Sequence, residues 1–206
     1  MEIKTDVALA PYTAFFIGGP AAFFCTAETV LDVQEALEVV VEHSIPLLVL
    51  GGGSNILVSD HGFSGMVINL QNRGIDIIED NKDSTVLRVA SGELWDDIVK
   101  YAVDRQLWGI ENLSHIPGRM GGFAVQNVGA YGQEASEVVE SVEVLDTETG
   151  IIKTLLKDEC GFTYRHSIFN SSEKGKYVIL QTTIKLSKTA NSKLDYGDVK
   201  RYFTEK

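Results

Sequence analysis

The chain has 206 residues, 44% apolar and 23% charged, with 18 Lys and Arg against 29 Asp and Glu for a net charge of −11. A chain of this length buries roughly 70% of the surface its unfolded form exposes, so one large domain or two small ones are expected. The excess negative charge argues against non-specific nucleic-acid binding, which needs a basic face, and no run of about 18 apolar residues is present to span a membrane.

In chain order, Ala21 to Ala27 reads as a strand. Thr29 then reads as an N-cap with Asp32 three residues on, and Val33, Ala36, Leu37, Val40 and Val41 follow at helical spacing. The acidic residues Glu35, Glu38 and Glu42 fall on the solvated face of that helix. Pro46 ends the helical region and opens an apolar run to Leu50, read as a buried strand. Gly51-Gly52-Gly53-Ser54-Asn55 comes next, Ile56-Leu57-Val58 reads as strand, and Gly65 to Leu70 as another. Residues 1–72 are therefore expected to form a β-α-β unit.

After Asn72-Arg73-Gly74 the pattern restarts as a second unit, expected over residues 73–206. Ile75 to Glu79 and Val86 to Ala90 read as paired strands around the polar turn Asp80 to Ser84. A helix with Trp95, Ile98, Val99, Ala102 and Val103 on one face follows. Next is the stretch Ile116-Pro117-Gly118-Arg119-Met120-Gly121-Gly122-Phe123-Ala124-Val125-Gln126-Asn127-Val128-Gly129-Ala130-Tyr131-Gly132, too regular for a flexible linker and read as a rigid loop with a short helix. Val139 to Leu145 and Ile151 to Leu156 form an expected hairpin, and Tyr177 to Leu186 the last long strand. Two α+β subdomains of this kind hold a ligand in the cleft between them.

Glycines after a strand let backbone N–H groups converge on an anion, and Ser54 and Asn55 add short polar side chains. That suits a diphosphate; a wide turn is the alternative. The loop is not the dinucleotide fingerprint G-x-G-x-x-G opening a long helix. Cys25 and Cys160 lack a C-x-x-C partner or a metal-ligand spacing to His43, His61, His115 or His166. They are read as buried thiols in a reducing compartment, and no metal site is expected. Met1 to Asp6 has no apolar secretory core, which points to the cytoplasm. His115, with nothing to pair with it, is not read as catalytic.

The two glycine-rich stretches together resemble the flavin-binding signature of the UDP-N-acetylenolpyruvoylglucosamine reductase (UDP-N-acetylmuramate dehydrogenase) family. Matches continue in the same order at Tyr12-Thr13 before Gly18-Gly19, at Gly109-Ile110-Glu111-Asn112-Leu113, at Gly161 to Phe169 and at Leu194-Asp195-Tyr196-Gly197-Asp198. The resemblance implies an α+β, two-subdomain FAD-binding fold of the vanillyl-alcohol-oxidase type. It implies non-covalent FAD, NADPH as hydride donor, and a UDP-sugar substrate reduced for peptidoglycan synthesis. It assigns to the cofactor Leu50, Gly51, Gly52, Gly53, Ser54 and Asn55, then Ile116, Pro117 and Gly118 through backbone contacts, with Gly121, Gly122 and Gly129. Gln126 and Asn127 are implied beside the isoalloxazine, Tyr131 near it, and Ile179 as an apolar contact.

Arg165 is implied as the catalytic and substrate-binding arginine that meets the enolpyruvyl carboxylate, and Tyr196 as a tyrosine that folds over the substrate or is disordered. Tyr164 is left between packing and site, and Arg119 between a phosphate or sugar contact and solvent. Arg119 and Met120 stand where the family usually has smaller residues. The resemblance also implies a third, substrate-binding domain with a serine proton donor and a glutamate near the C-terminus. Neither is matched here, so this chain is expected to be the flavin half, with impaired turnover. The alternatives are a non-catalytic flavin-binding domain, or another FAD oxidoreductase of the same fold. Many of the latter link FAD covalently to His or Cys in the first loop, and this loop has neither.

Overall fold

The computed structural model describes residues 1–204; Glu205 and Lys206, the end of the expected second unit, lie outside the described residues. Nine strands form two sheets, accompanied by two principal helices. The first sheet contains β1 (Ile3–Ala8), β2 (Pro20–Ala27), β3 (Leu47–Leu50) and β4 (Phe63–Leu70) in the order β1-β2-β4-β3. β2 and β3 both run parallel to β4, and β1 pairs antiparallel with β2. α1 (Val30–His43) is the crossover between β2 and β3.

The second sheet contains β5 (Ile75–Asp80), β6 (Ser84–Ala90), β9 (Val139–Asp146), β10 (Ile152–Leu156) and β11 (Tyr177–Ser187). Its order is β10-β9-β11-β6-β5, antiparallel throughout. Between β6 and β9 lie α2 (Trp95–Asp104), α3 (Met120–Val125), the two-residue strands β7 (Gly129–Ala130) and β8 (Gln133–Glu134), and α4 (Ala135–Val138). α5 (Gly197–Thr204) ends the described chain.

The amphipathic stripes bury as their spacing requires, with one departure in each long helix. Val33, Ala36 and Leu37 are buried on α1, and Trp95, Ile98, Val99 and Ala102 on α2. Val41 and Val103, placed on those faces by sequence, are 65% and 52% exposed. Each sits eight residues after the first stripe residue. At 100° per residue that carries it roughly 80–90° off the stripe's centre.

Ile56-Leu57-Val58, read as strand, forms no ladder. β3 is an edge strand, and the chain leaves the sheet after it. Ile56 and Val58 pack onto the small core around Leu9, Phe24 and Val67, while Leu57 is exposed. Their alternation is satisfied by packing without pairing. Strand β1 was not anticipated, because its alternation is blurred by Lys4, Thr5 and Asp6.

Most of the core lies beneath the second sheet, where Trp95 stacks on Phe123 with ring centroids 3.8 Å apart. The indole Nε1–H of Trp95 donates to the Leu113 carbonyl at 2.8 Å, so this buried aromatic keeps no unmet donor. Leu145, Val178 and Leu180 of the second sheet join the cluster of Val33, Met66 and Ile68 from the first, so the two sheets share apolar packing. Cys25 and Cys160 are buried free thiols. Burial pushes their pKa values up to about 11 and about 12, far from the thiolate that reacts.

Thr29 caps α1 through a reciprocal box. Its hydroxyl accepts from the Asp32 N–H at 3.1 Å, and the Asp32 carboxylate accepts from the Thr29 N–H at 2.8 Å. Thr29→Ala removes one half of this box and lowers unfolding stability by about 1 kcal/mol, read as a lower denaturant midpoint with an unchanged slope. An unchanged midpoint would show that the cap contributes nothing.

Candidate functional site

The first glycine loop leaves β3 at Leu50, which is buried. Gly53 has φ +63°, and a Cβ there would fall 1.9 Å from the Tyr12 carbonyl oxygen. The loop therefore lies directly on the Tyr12–Ala14 backbone, and the Ala14 N–H donates to the Gly53 carbonyl at 3.0 Å. This is a position only glycine fills without strain.

The two glycine-rich stretches, 63 residues apart at their hydrogen bond, touch each other. A Cβ on Gly52 would lie 2.8 Å from Gly118 Cα, and the Ser54 hydroxyl donates to the Pro117 carbonyl at 3.2 Å. On the other side the Gly118 carbonyl accepts from the Trp95 N–H at 3.1 Å. Ser114 Oγ and the His115 N–H both donate to Asp96 Oδ1, at 2.9 and 2.7 Å, which fixes the approach to Ile116. The backbone bond from His115 and the Ser114 hydroxyl hold the Asp96 carboxyl below the usual carboxylate range. This anchor is thus complete at neutral pH and loosens only in acid, as the depressed carboxyl takes its proton.

Gly51 of the first stretch and Gly118 and Gly122 of the second leave space around them. A Cβ on Gly122 would meet nothing within 4 Å, one on Gly118 only Ser54 Oγ at 3.4 Å, and one on Gly51 only Arg119 Cβ at 3.7 Å. Gly121 differs, since its Cβ would press on Ser91 at 3.1 Å. Beneath this surface Ser91 Oγ and Arg119 Nε are buried with no partner among the described residues. An open glycine-lined face above unmet polar atoms fits a flat ligand with a polar tail. The donors suit a flavin dinucleotide.

From Gly118 the second stretch runs through α3 to a separate cluster. Asn127 is buried with φ +39°. Its Nδ2 donates to Glu134 Oε2 and to the Thr163 carbonyl, both at 2.8 Å, and its Oδ1 accepts from the Ser136 N–H at 2.9 Å. Its amide thus braces the turn Thr163–His166, in which the two end residues exchange backbone hydrogen bonds at 3.0 Å. Arg165 is at the tip of that turn with φ +55° and exposed, and its guanidinium donates to the Gly129 carbonyl at 2.7 Å. Tyr164 is 83% exposed, which removes the packing reading.

Tyr131, two residues beyond Gly129, meets Tyr196 edge to face at 5.5 Å. Arg165, Gly129, Tyr131 and Tyr196 thus form one cluster. Gln126 is half-buried, Pro117 and Asn55 are exposed, and Ile116 packs against the main core. The Ile179 side chain lies within that core.

Sequence reasoning passed over Asn112, whose Nδ2 donates to the Tyr131 and Lys193 carbonyls at 2.9 and 3.0 Å. Gln133 and Glu111 brace it in turn: Gln133 accepts from the Asn112 N–H and donates to Glu111, each at 2.8 Å. Its place inside Gly109-Ile110-Glu111-Asn112-Leu113 was the available signal. No group of His, Cys, Asp and Glu able to hold a metal occurs among the described residues. No helix among them is long and apolar enough to cross a membrane.

Residues 21–155 match the family model described as FAD binding domain. A curated UDP-N-acetylenolpyruvoylglucosamine reductase from Amoebophilus asiaticus is 40% identical over 200 residues, covering 97% of this chain and 58% of that protein. The chain thus spans less than two thirds of the length of such relatives. The crystal structure of UDP-N-acetylenolpyruvylglucosamine reductase from Thermus caldophilus superposes with a TM-score of 0.76 at 29% identity, covering 100% of this chain and 71% of that one. A VAO-type flavoprotein from Myceliophthora thermophila superposes with a TM-score of 0.59 at 19% identity, covering 82% of this chain and 32% of that one, which bears on the fold alone. The α+β fold is that of VAO-type flavoproteins, and the resemblance carried by the motifs is borne out by these relatives. The chain belongs to the FAD binding domain family.

Proposed function

We propose that this chain is the flavin-binding part of an NADPH-dependent reductase that converts UDP-N-acetylenolpyruvoylglucosamine to UDP-N-acetylmuramate in the cytoplasm, for peptidoglycan synthesis. The observation that carries the reading is the meeting of the two glycine-rich stretches at Gly52 and Gly118, beside a face that Gly51, Gly118 and Gly122 leave open. Residues 1–72 and 73–206 act as the two subdomains that hold FAD between them. Gly51 to Asn55 offer backbone N–H groups to the diphosphate, and Pro117 to Gly122 with Gln126 hold the ring. Asn127 serves the site through the Thr163–His166 turn that it braces. The relatives are longer than this chain, so turnover by these 206 residues alone is expected to be low.

Bound FAD supplies hydride transfer from the nicotinamide to the enolpyruvyl group. Arg165 holds the substrate carboxylate, on which negative charge grows as hydride reaches the methylene carbon. Its guanidinium is fixed by the Gly129 carbonyl on one side and leaves donors toward solvent on the other. The positive φ at Arg165 keeps the side chain at the turn's tip. Tyr196, resting on Tyr131, covers the substrate beside it.

Three measurements test this reading. Acid precipitation of the flavin-loaded protein releases all flavin to the supernatant, because both cysteines are buried and poorly ionised and the first loop has no histidine or cysteine. Colour kept in the pellet would show a covalent link. Gly122→Ala leaves the flavin-free protein as stable or more stable by up to about 1 kcal/mol, since it replaces a helical glycine facing open space, yet weakens FAD binding. Gly52→Val instead destabilises the flavin-free protein by about 1–3 kcal/mol by forcing the loops apart. Unimpaired FAD binding in both variants would place the cofactor elsewhere. In an active form of the protein Arg165→Ala lowers turnover about a hundredfold or more while FAD stays bound; near-normal turnover would remove Arg165 from the site.

A further inference from the structure

Arg119 is the only cation in either glycine-rich stretch, Leu50–Leu57 or Ile116–Gly132. Its Cβ lies 3.7 Å from where a Cβ on Gly51 would be, so it stands at the seam of the two loops. The side chain is half-buried, one terminal nitrogen donates to the Gly92 carbonyl, and Nε is buried with no partner among the described residues. Its charged neighbours are Arg73 and Glu93. Glu93 is already engaged: Oε2 binds Arg73 at 3.2 Å, and Oε1 accepts the Gly74 N–H at 2.7 Å. Two guanidinium groups share one carboxylate here, in a chain whose net charge is −11. Burial and the like charge of Arg73 lower the pKa of Arg119 against the pull of Glu93. A half-buried cation with a spare donor and surplus positive charge is costly unless an anion completes it.

We propose that Arg119 is the charge partner of the cofactor's diphosphate, adding a side-chain anchor to the backbone donors of Gly51 to Asn55. The inference rests on the reading that FAD lies at the glycine loops. Arg119 then makes this chain discriminate a dinucleotide from a bare flavin, and it makes affinity depend on salt. A brace acting only through the Gly92 carbonyl would do neither.

The test titrates flavin-free protein with FAD and with riboflavin, which lacks the diphosphate, in the wild type, Arg119→Ser and Arg119→Lys. Arg119→Ser is expected to weaken FAD binding about tenfold to a hundredfold, the range for a lost charged hydrogen bond, and riboflavin binding by less than about twofold. Arg119→Lys keeps part of the FAD affinity. The FAD dissociation constant of the wild type rises with salt more steeply than that of Arg119→Ser. The melting temperature of flavin-free Arg119→Ser is unchanged or higher, because an uncompensated charge has gone. Equal losses for both flavins with a lower melting temperature would make Arg119 a brace and overturn the proposal. So would FAD affinity within about twofold of wild type in Arg119→Ser. Should that variant not fold, equal FAD and riboflavin losses in Arg119→Lys, or salt-independent FAD binding by the wild type, would overturn it. Wild-type protein that binds no FAD would overturn the underlying reading as well.

Discussion

The candidate site depends on an approach of two backbones. Gly52 of the first sheet's loop and Gly118 of the loop before α3 come so near that one added carbon would sit 2.8 Å from the other's Cα. Neither sheet contains this contact, which joins the loop after β3 to the loop that lies between β6 and β9 of the second sheet. It is backed from each side. Gly53 lies on the Tyr12 carbonyl, so the first loop cannot retreat. Behind Gly118, the Trp95 N–H binds its carbonyl, and the Trp95 ring stacks on Phe123 of α3. Large buried aromatics thus press one loop of small residues against another. At Gly52 itself the approach leaves no room for a side chain.

A second junction lies where the chain passes between the sheets. The register of β11 against β9 shifts between Ile179 and Gln181, and the Leu180 carbonyl between them accepts from Asn72 Nδ2 at 2.7 Å and from the Ser91 N–H at 3.0 Å. Asn72 Oδ1 accepts from the Gly92 N–H at 2.9 Å. A β-bulge frees a carbonyl from its ladder, and here the freed group ties the end of the first unit to the loop opening α2. Ser91 and Gly92 then touch Gly121 and Arg119. The irregularity of a strand in one sheet is in this way transmitted to the floor of the ligand face.

Much of this was legible before any coordinates. Helices α1 and α2, eight of the nine long strands near their observed bounds, and the two glycine-rich stretches follow from periodicity and from turn-forming residues. What the sequence hid has physical causes. β1 is polar because most of its residues are exposed, and Ile56 to Val58 imitate a strand because packing alone rewards alternation. At the site, glycines were readable as places where something comes close, but not as what comes close. For Gly52 it is another glycine, and for Gly122 it is open space. Asn127 and Asn112 could be singled out by motif, while their work as braces depends on partners 36 and 81 residues away. The sequence leaves Arg119 between a phosphate or sugar contact and solvent, and its partial burial and unmet Nε are visible only in the fold.

The account stands on both glycine-rich stretches gripping one cofactor from the two sides of their seam. Hydrogen-exchange mass spectrometry of the protein with and without saturating FAD tests this directly. The account predicts slowed exchange at the amides of Gly51 to Asn55 and of Gly118 to Gly122 together, with the outer strands β1 and β10 unchanged. Protection confined to one stretch, or appearing away from both, would contradict it.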